Sequence, residues 1–223
     1  MSYNIRNGLG MDNCRDLQRV ADVINANAPN LVAVQEIDSM TARSGGRDVL
    51  GELAALTGLV PIYAPAIDYD GGKYGVGILC RTVPREVIRQ PLPGREEARM
   101  AVAAVFDDFV FACTHLSLTE ADRLASLPLL KELAGRFPDK PFYLAGDFNA
   151  EPSEPFMSAL SEVFTILSDT TQRTYPADVP DCTIDYIVTI RGKACGVKSL
   201  VLSAEEVASD HRPICVDIKY KKK

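Results

Sequence analysis

The chain contains just two histidines, His115 and His211. Both sit among small polar residues, in Thr114-His115-Leu116-Ser117 and in Ser209-Asp210-His211-Arg212-Pro213, where a buried-looking run or a turn ends. An imidazole titrates near neutrality, so at such junctions it can donate a proton or hydrogen-bond a phosphate oxygen. A lone histidine reads more readily as structural. Two at loop junctions, one of them flanked by Asp210, read together as chemistry.

Acids and amides occupy matching places. Gly146-Asp147-Phe148-Asn149-Ala150 directly follows the apolar run Phe142 to Ala145. Asp147 and Asn149 lie two positions apart, so a tight segment can point both the same way. Asp147 can take a proton from a water nucleophile, and Asn149 can orient that water or a phosphate oxygen. The same residue types also make ordinary turns. Gln35-Glu36 ends the run Leu31 to Val34. A carboxylate at such an end suits a hard cation, which takes oxygen ligands; a solvated strand end is the plainer alternative. Asp185, within Ile184-Asp185-Tyr186-Ile187, costs free energy among apolar neighbours unless paired, and an imidazole is a suitable partner. Asn4 puts an amide in the first apolar segment.

The elements that must position these groups follow from the hydrophobic pattern. Met1 to Ile5 reads as a strand. Asn13 offers a helix cap before Leu17, Val20, Ala21, Ile24 and Ala28 at helical spacing, with Pro29 as the stop. Leu31 to Val34 is continuous enough for a strand buried on both faces. Asp48 to Leu56 is a second amphipathic helix. Ile62 to Ala66, Gly75 to Arg81, Val83 to Arg89, Met100 to Phe106 and Phe109 to Thr114 have strand character, and Asp107-Asp108 turns the last two into a hairpin. Thr119 and Asp122 look like a capping box opening a helix towards Arg136, with a kink or restart expected at Pro128. Phe142 to Ala145, Ile184 to Ile190, Val197 to Leu202 and Ile214 to Ile218 complete the strands. This mixed order predicts two sheets packed face to face with helices outside, rather than a doubly wound parallel sheet.

At 223 residues, with 47% hydrophobic and 24% charged residues, the chain has ample material for one core, and no linker divides it. Residues 1–223 are therefore expected to form a single domain. The net charge of -6 argues mildly against a general nucleic-acid binder. A bound cation can still supply positive charge locally. None of the six cysteines forms a C-x-x-C pair, and Cys80, Cys113 and Cys215 sit in apolar runs, which points to buried thiols. Lys221 to Lys223 reads as a solvated tail. No stretch is long and apolar enough to span a membrane. Met1 runs straight into a strand-like segment, as it would after removal of an export signal. A cytoplasmic protein and an exported one are both compatible with that.

Taken in order, Tyr3-Asn4-Ile5-Arg6, Val34-Gln35-Glu36, Thr114-His115-Leu116, Gly146-Asp147-Phe148-Asn149, Ile184-Asp185-Tyr186 and Ser209-Asp210-His211-Arg212-Pro213 closely resemble the endonuclease/exonuclease/phosphatase superfamily. The resemblance runs from Tyr3 to about Ile218. It implies a four-layer α/β sandwich with two mixed sheets. It also implies a divalent-metal-dependent phosphoesterase, with Mg2+ the expected ion and Mn2+ or Ca2+ as substitutes. By the same resemblance Glu36 is the principal metal ligand, with Asn4 and Asp210 nearby. Asp147, aided by Asn149, activates the attacking water. His211, oriented by Asp185, stabilises the transition state, and His115 contacts the scissile phosphate.

Softer matches make Tyr74, Arg43 and Arg6 candidate phosphate or substrate contacts. Abasic-site endonucleases carry Asn-x-Asp where this chain has Asn4-Ile5-Arg6, which speaks against a second metal carboxylate there. The expected substrate is a phosphorylated small molecule or a lipid-linked phosphate ester, acted on by a monomer. A nuclease, for which nucleic acid is the partner, is the alternative. A catalytically silent binding module on the same fold is the remaining one.

Overall fold

The computed structural model describes residues 1–192, 196–201 and 205–219. Cys195, Leu202 and the lysines 221–223 lie outside the described residues.

Strands that are apolar on both faces need cover on both sides, and the chain alternates elements so as to supply it. One sheet is built from β1 (Ser2–Asn4), β2 (Leu31–Ser39), β3 (Val60–Tyr69), β4 (Gly72–Cys80), β11 (Gly196–Val201) and β12 (Ile214–Lys219), in the order β11-β12-β1-β2-β4-β3. The other contains β5 (Glu86–Leu92), β6 (Arg99–Val105), β7 (Val110–His115), β8 (Phe142–Asp147), β9 (Phe164–Ile166) and β10 (Asp185–Ile190), in the order β5-β6-β7-β8-β10-β9. Each sheet is mixed, with β1 parallel to β2 and β7 parallel to β8 among otherwise antiparallel pairs.

Between the sheets lies a layer rich in small side chains, including Ala33, Ala64, Ala104, Ala145 and Cys113, which admits close approach of the two sheets. The helices α1 (Leu17–Asn27) and α2 (Val49–Thr57) cover the first sheet, packing Val20, Ile24, Leu50 and Leu53 on Tyr3, Val32 and Val34. The helices α3 (Glu120–Gly135) and α4 (Pro155–Val163) cover the second, packing Leu130, Leu133, Phe156 and Leu160 on Ala103, Leu144 and Tyr186. The result is the expected four-layer sandwich. The central strand β1 packs across the interface against β8 and β10, which brings the ends of strands from both sheets together.

Several local expectations are corrected. Asp16, not Asn13, caps α1, because its side chain accepts from the N–H groups of Gln18 and Arg19 while Asn13 lies in a left-handed turn at φ 60°. Thr119 does precede α3, but its side chain makes no capping bond, and the Asp122 carboxylate is taken up by the guanidinium and backbone N–H of Arg95. The helix passes through Pro128 without a restart. The carbonyl that loses its partner belongs to Leu124, which is exposed to solvent. No disulfide forms among the described cysteines, in line with buried thiols at Cys80 and Cys113.

Candidate active site

The site is assembled where β1, β7 and β8 end and β10 begins, at the bulge within β2, and in the loop that leads into β12. Asn4, the last residue of β1, is fully buried, and its Nδ2 lies 3.0 Å from Glu36 Oε1, 3.1 Å from Asp147 Oδ2 and 3.4 Å from His211 Nε2. One short strand thereby joins groups from both sheets. Its carbonyl accepts from Ser209 Oγ at 2.7 Å, which fastens the His211 loop to the end of β1.

Glu36 owes its position to an irregularity in β2. The register with β4 shifts between Val34 and Ile37, and Glu36 takes up φ 60°, a left-handed conformation that costs a side-chain-bearing residue. The bulge turns the carboxylate towards Asn4 and leaves it partly open to solvent, while Gln35 is buried against Cys113 and Ser2. Burial raises the Glu36 carboxyl above its usual range, the Asn4 hydrogen bond and His211 oppose this, and Asp210 and Asp147 add to it. His211 alone does not offset burial and the neighbouring acids at Glu36, and a divalent cation would supply further positive charge. Glu36 and Asp210 offer carboxylate oxygens for such an ion, while Asn4 turns its Nδ2 towards the site and its Oδ1 accepts from the Arg6 N–H at 3.1 Å.

Asp147 sits at the junction of β8 with its following turn. Its Oδ1 accepts from the Asn149 N–H at 2.9 Å, and Asn149, at φ 49°, uses its own amide to bond the Leu116 carbonyl. Its Oδ2 stands 3.6 Å from Nε2 of His115 and 3.6 Å from Nε2 of His211. In the antiparallel pairing of β8 and β10, Asp147 lies opposite Asp185. Asp185 Oδ2 lies 2.9 Å from His211 Nδ1, and its Oδ1 is buried without a partner.

The two imidazoles are equally hidden but differently charged. Burial disfavours the cation at both. At His211 the carboxylates of Asp185 and Asp147 outweigh burial and raise the pKa to about 10. At His115 burial prevails over Asp147 and lowers it to about 4, with Arg99 adding to the effect. At neutral pH the site therefore holds one imidazolium and one neutral imidazole. Asp147, Asp185 and His211 also offer ligand atoms within 4.8 Å of one another. With His211 bonded to Asp185 and protonated, that trio suits a proton-holding pair better than a metal ligand set.

The remaining sequence-predicted residues line the approach. The Arg6 guanidinium is 3.3 Å from Asp210. Arg43 makes a two-pronged contact of 2.7 Å on each oxygen of fully buried Asp38, and stacks over Tyr69 at 4.4 Å and Tyr74 at 5.4 Å. Burial, then the nearby Glu36, raises the Tyr74 hydroxyl pKa, so Tyr74 stays a neutral donor. Sequence reasoning missed Asp38, Tyr175 and Ser209. Ser209 lies inside a quoted motif and Asp38 lies two positions beyond Glu36, so both carried a signal; Tyr175, whose ring is 4.9 Å from that of His211, carried none. A separate cleft of ≈ 800 Å³, lined by Phe106, Phe111, Ile187 and Val216 among others, includes neither histidine and none of these acids.

Known proteins give this arrangement a context. Protein YbhP of Escherichia coli K12, itself uncharacterized, is 30% identical over 158 residues, covering 68% of this chain and 55% of YbhP. The match thus spans little more than half of that relative. An endonuclease/exonuclease/phosphatase family protein from Leptotrichia buccalis superposes with a TM-score of 0.80 at 18% identity over 98% of both chains. A Bacteroides thetaiotaomicron protein titled mannosyl-6-phosphatase Bt3783 does so with 0.72 at 18% identity, again over 98% of both. At such identities the likeness is one of fold. The sequence profile of the endonuclease/exonuclease/phosphatase family matches residues 1–211, and with motifs and fold in agreement the chain belongs to that family.

Proposed function

We propose that residues 1–223 form one catalytic domain that hydrolyses a phosphate ester on a small or lipid-linked molecule with the help of a divalent cation, Mg2+ first among the choices. The observation that carries this reading is the convergence on Asp147. One carboxylate is flanked by a charged and a neutral imidazole, with Glu36 held beside it by Asn4.

Glu36, with Asn4 and Asp210, would hold the cation, which supplies positive charge against phosphoryl oxygens. The chain's own residues do the rest. Asp147 takes the proton of the attacking water, positioned with Asn149. The water oxygen bonds to phosphorus as the bond to the leaving oxygen breaks. Charge that accumulates on the phosphoryl oxygens faces the His211 imidazolium, while neutral His115 offers a hydrogen bond to the same group. Burial makes both interactions stronger than they would be in water.

A small substrate is favoured over nucleic acid by the state of the nearby cations. Arg6 is paired with Asp210, Arg43 with Asp38, and Arg99 with Glu96 and Glu97. A polynucleotide is gripped by cations free to neutralise phosphates. The fold neighbour titled a mannosyl-6-phosphatase indicates that such a scaffold admits a small phosphorylated substrate.

The test is a panel run with metal-stripped protein before and after adding Mg2+ or Mn2+. It comprises a phosphomonoester, a generic phosphodiester, inositol phosphates, a phospholipid head-group ester and plasmid DNA. Metal-dependent turnover of a small phosphate, abolished in Asp147→Asn, is the expected result. Plasmid nicking with no small-molecule turnover would overturn the substrate assignment. No turnover of anything, indistinguishable from Asp147→Asn, would overturn the enzyme.

A further inference from the structure

His211 is held at one edge by a carboxylate, and its ring lies against that of a residue that no motif contains. The Tyr175 ring lies 4.9 Å from the imidazole at an interplanar angle of 47°. Tyr175 is 36% exposed, so it is not there to fill the core. Its surroundings place it at the mouth of the site, since Asp210, Arg6 and Glu36 all act on its hydroxyl.

The backbone around Tyr175 is fixed from two sides. Its N–H donates to the Cys182 carbonyl at 3.2 Å, and its own carbonyl accepts from Asp181 and Cys182 at 2.9 and 3.0 Å. On the other side the Arg212 N–H donates to the Thr174 carbonyl at 2.7 Å, and the Ala177 N–H donates to the Asp210 carbonyl at 2.7 Å. The Arg212 Nε adds a bond to the Ala177 carbonyl at 2.6 Å. The segment 174–177 is thus strapped onto residues 210–212, the loop that carries His211.

We infer that Tyr175 and this strap position His211 for catalysis, the strap setting the loop and the aromatic ring limiting out-of-plane motion of the imidazole. The Nδ1 bond to Asp185, at 2.9 Å, restrains the edge of the ring but resists wagging about that edge poorly. Nε2 must meanwhile stay directed at the region between Asp147 and Asn4, where it lies 3.6 and 3.4 Å from their side-chain atoms. A small displacement of a positioned group costs rate steeply. An aromatic ring supplies the needed wall without a competing hydrogen bond, and aromatic pairs prefer tilted or offset contact.

The inference rests on the proposed role of His211, and a readout independent of turnover separates the two. Two histidines in the whole chain make ring-nitrogen NMR unusually simple to assign. In metal-free protein the His211 Nδ1–H signal should be sharp and slow to exchange. It should broaden or vanish in Tyr175→Ala, stay in Tyr175→Phe, and leave the His115 signals unchanged. With turnover, Tyr175→Ala should lower kcat about tenfold at nearly constant KM, and Tyr175→Phe should restore it. An unchanged His211 signal in Tyr175→Ala would overturn the inference. So would a rise in KM confined to substrates with aromatic leaving groups at constant kcat, which would make Tyr175 a substrate contact instead. Loss of the signal with no turnover in the unmodified protein would keep the positioning and remove the proposed function.

Discussion

The His115 and His211 sides of the site differ by one carboxylate. Both rings are buried, both present Nε2 at 3.6 Å from the same oxygen of Asp147, and burial opposes charge on each. His211 has Asp185 behind it and is pushed up to about 10; among the described residues no second carboxylate bonds His115, which feels Arg99 and falls to about 4. Opposite charge states therefore arise from nearly equal burial. The lesson is that a second carboxylate, placed on the far side of the ring, decides what an imidazole can do in a closed site.

The largest expected effect comes from the group the two sides share. Asp147→Asn should lower kcat by roughly 10³-fold, as expected for loss of a general base, while both rings remain in place by NMR. A variant that keeps its activity would break the comparison at its centre.

Next comes the partner that separates the two sides. Asp185→Asn should lower kcat by about 10²-fold, the scale for losing a charged donor to the transition state. Activity that needs the His211 imidazolium is present below its folded pKa and lost as pH rises through about 10. In Asp185→Asn that alkaline limb should move to lower pH, making His211 behave more like His115. A limb that stays put would dissociate the charge from Asp185. His115→Gln retains a hydrogen-bond donor, so its loss should be smaller, about tenfold in kcat/KM, with the alkaline limb unmoved.

The smallest effect lies in conformational stability of the metal-free protein, read from urea midpoints. His115 is lowered from 6.5 to about 4, so between those values the unfolded chain binds a proton that the native site refuses, and stability falls as pH drops. His211 is raised from 6.5 to about 10, so its contribution is complete below 6.5 and lost as pH rises towards 10. His115→Gln should flatten the acid limb and leave the alkaline one. Equal effects on both limbs would deny the asymmetry.

How much of this was legible depended on whether a residue's partner lay in its own segment. The buried strands were readable because runs such as Leu31 to Val34 and Phe142 to Ala145 announce themselves, and so was their sandwich arrangement. The continuation of β2 to Ser39 was not, because polar Gln35 and Glu36 look like an end while the chain makes a bulge and carries on. Neither α4 nor β9 was anticipated; the helix begins at Pro155 after a turn-like stretch and passes directly into Phe164. Asn4, Glu36, Asp147, Asp185 and His211 each stand in a motif, which made them legible as candidates, and they lie together in the fold. Arg43 was anticipated, but not its bond to Asp38. Tyr175 escaped altogether because its importance comes only from what it touches.

The left-handed backbone at Glu36 has a cost that outlasts catalysis. A non-glycine residue held there commonly forfeits about 1–3 kcal/mol, and glycine would recover much of it. Replacing Glu36 by glycine should therefore make a sturdier molecule with no carboxylate to offer a cation. Selection for folding alone would drift towards that substitution. An acid kept at this bend would then be a gauge of use, and the deficit is one that a bound ion, by favouring the native state, would return to the chain.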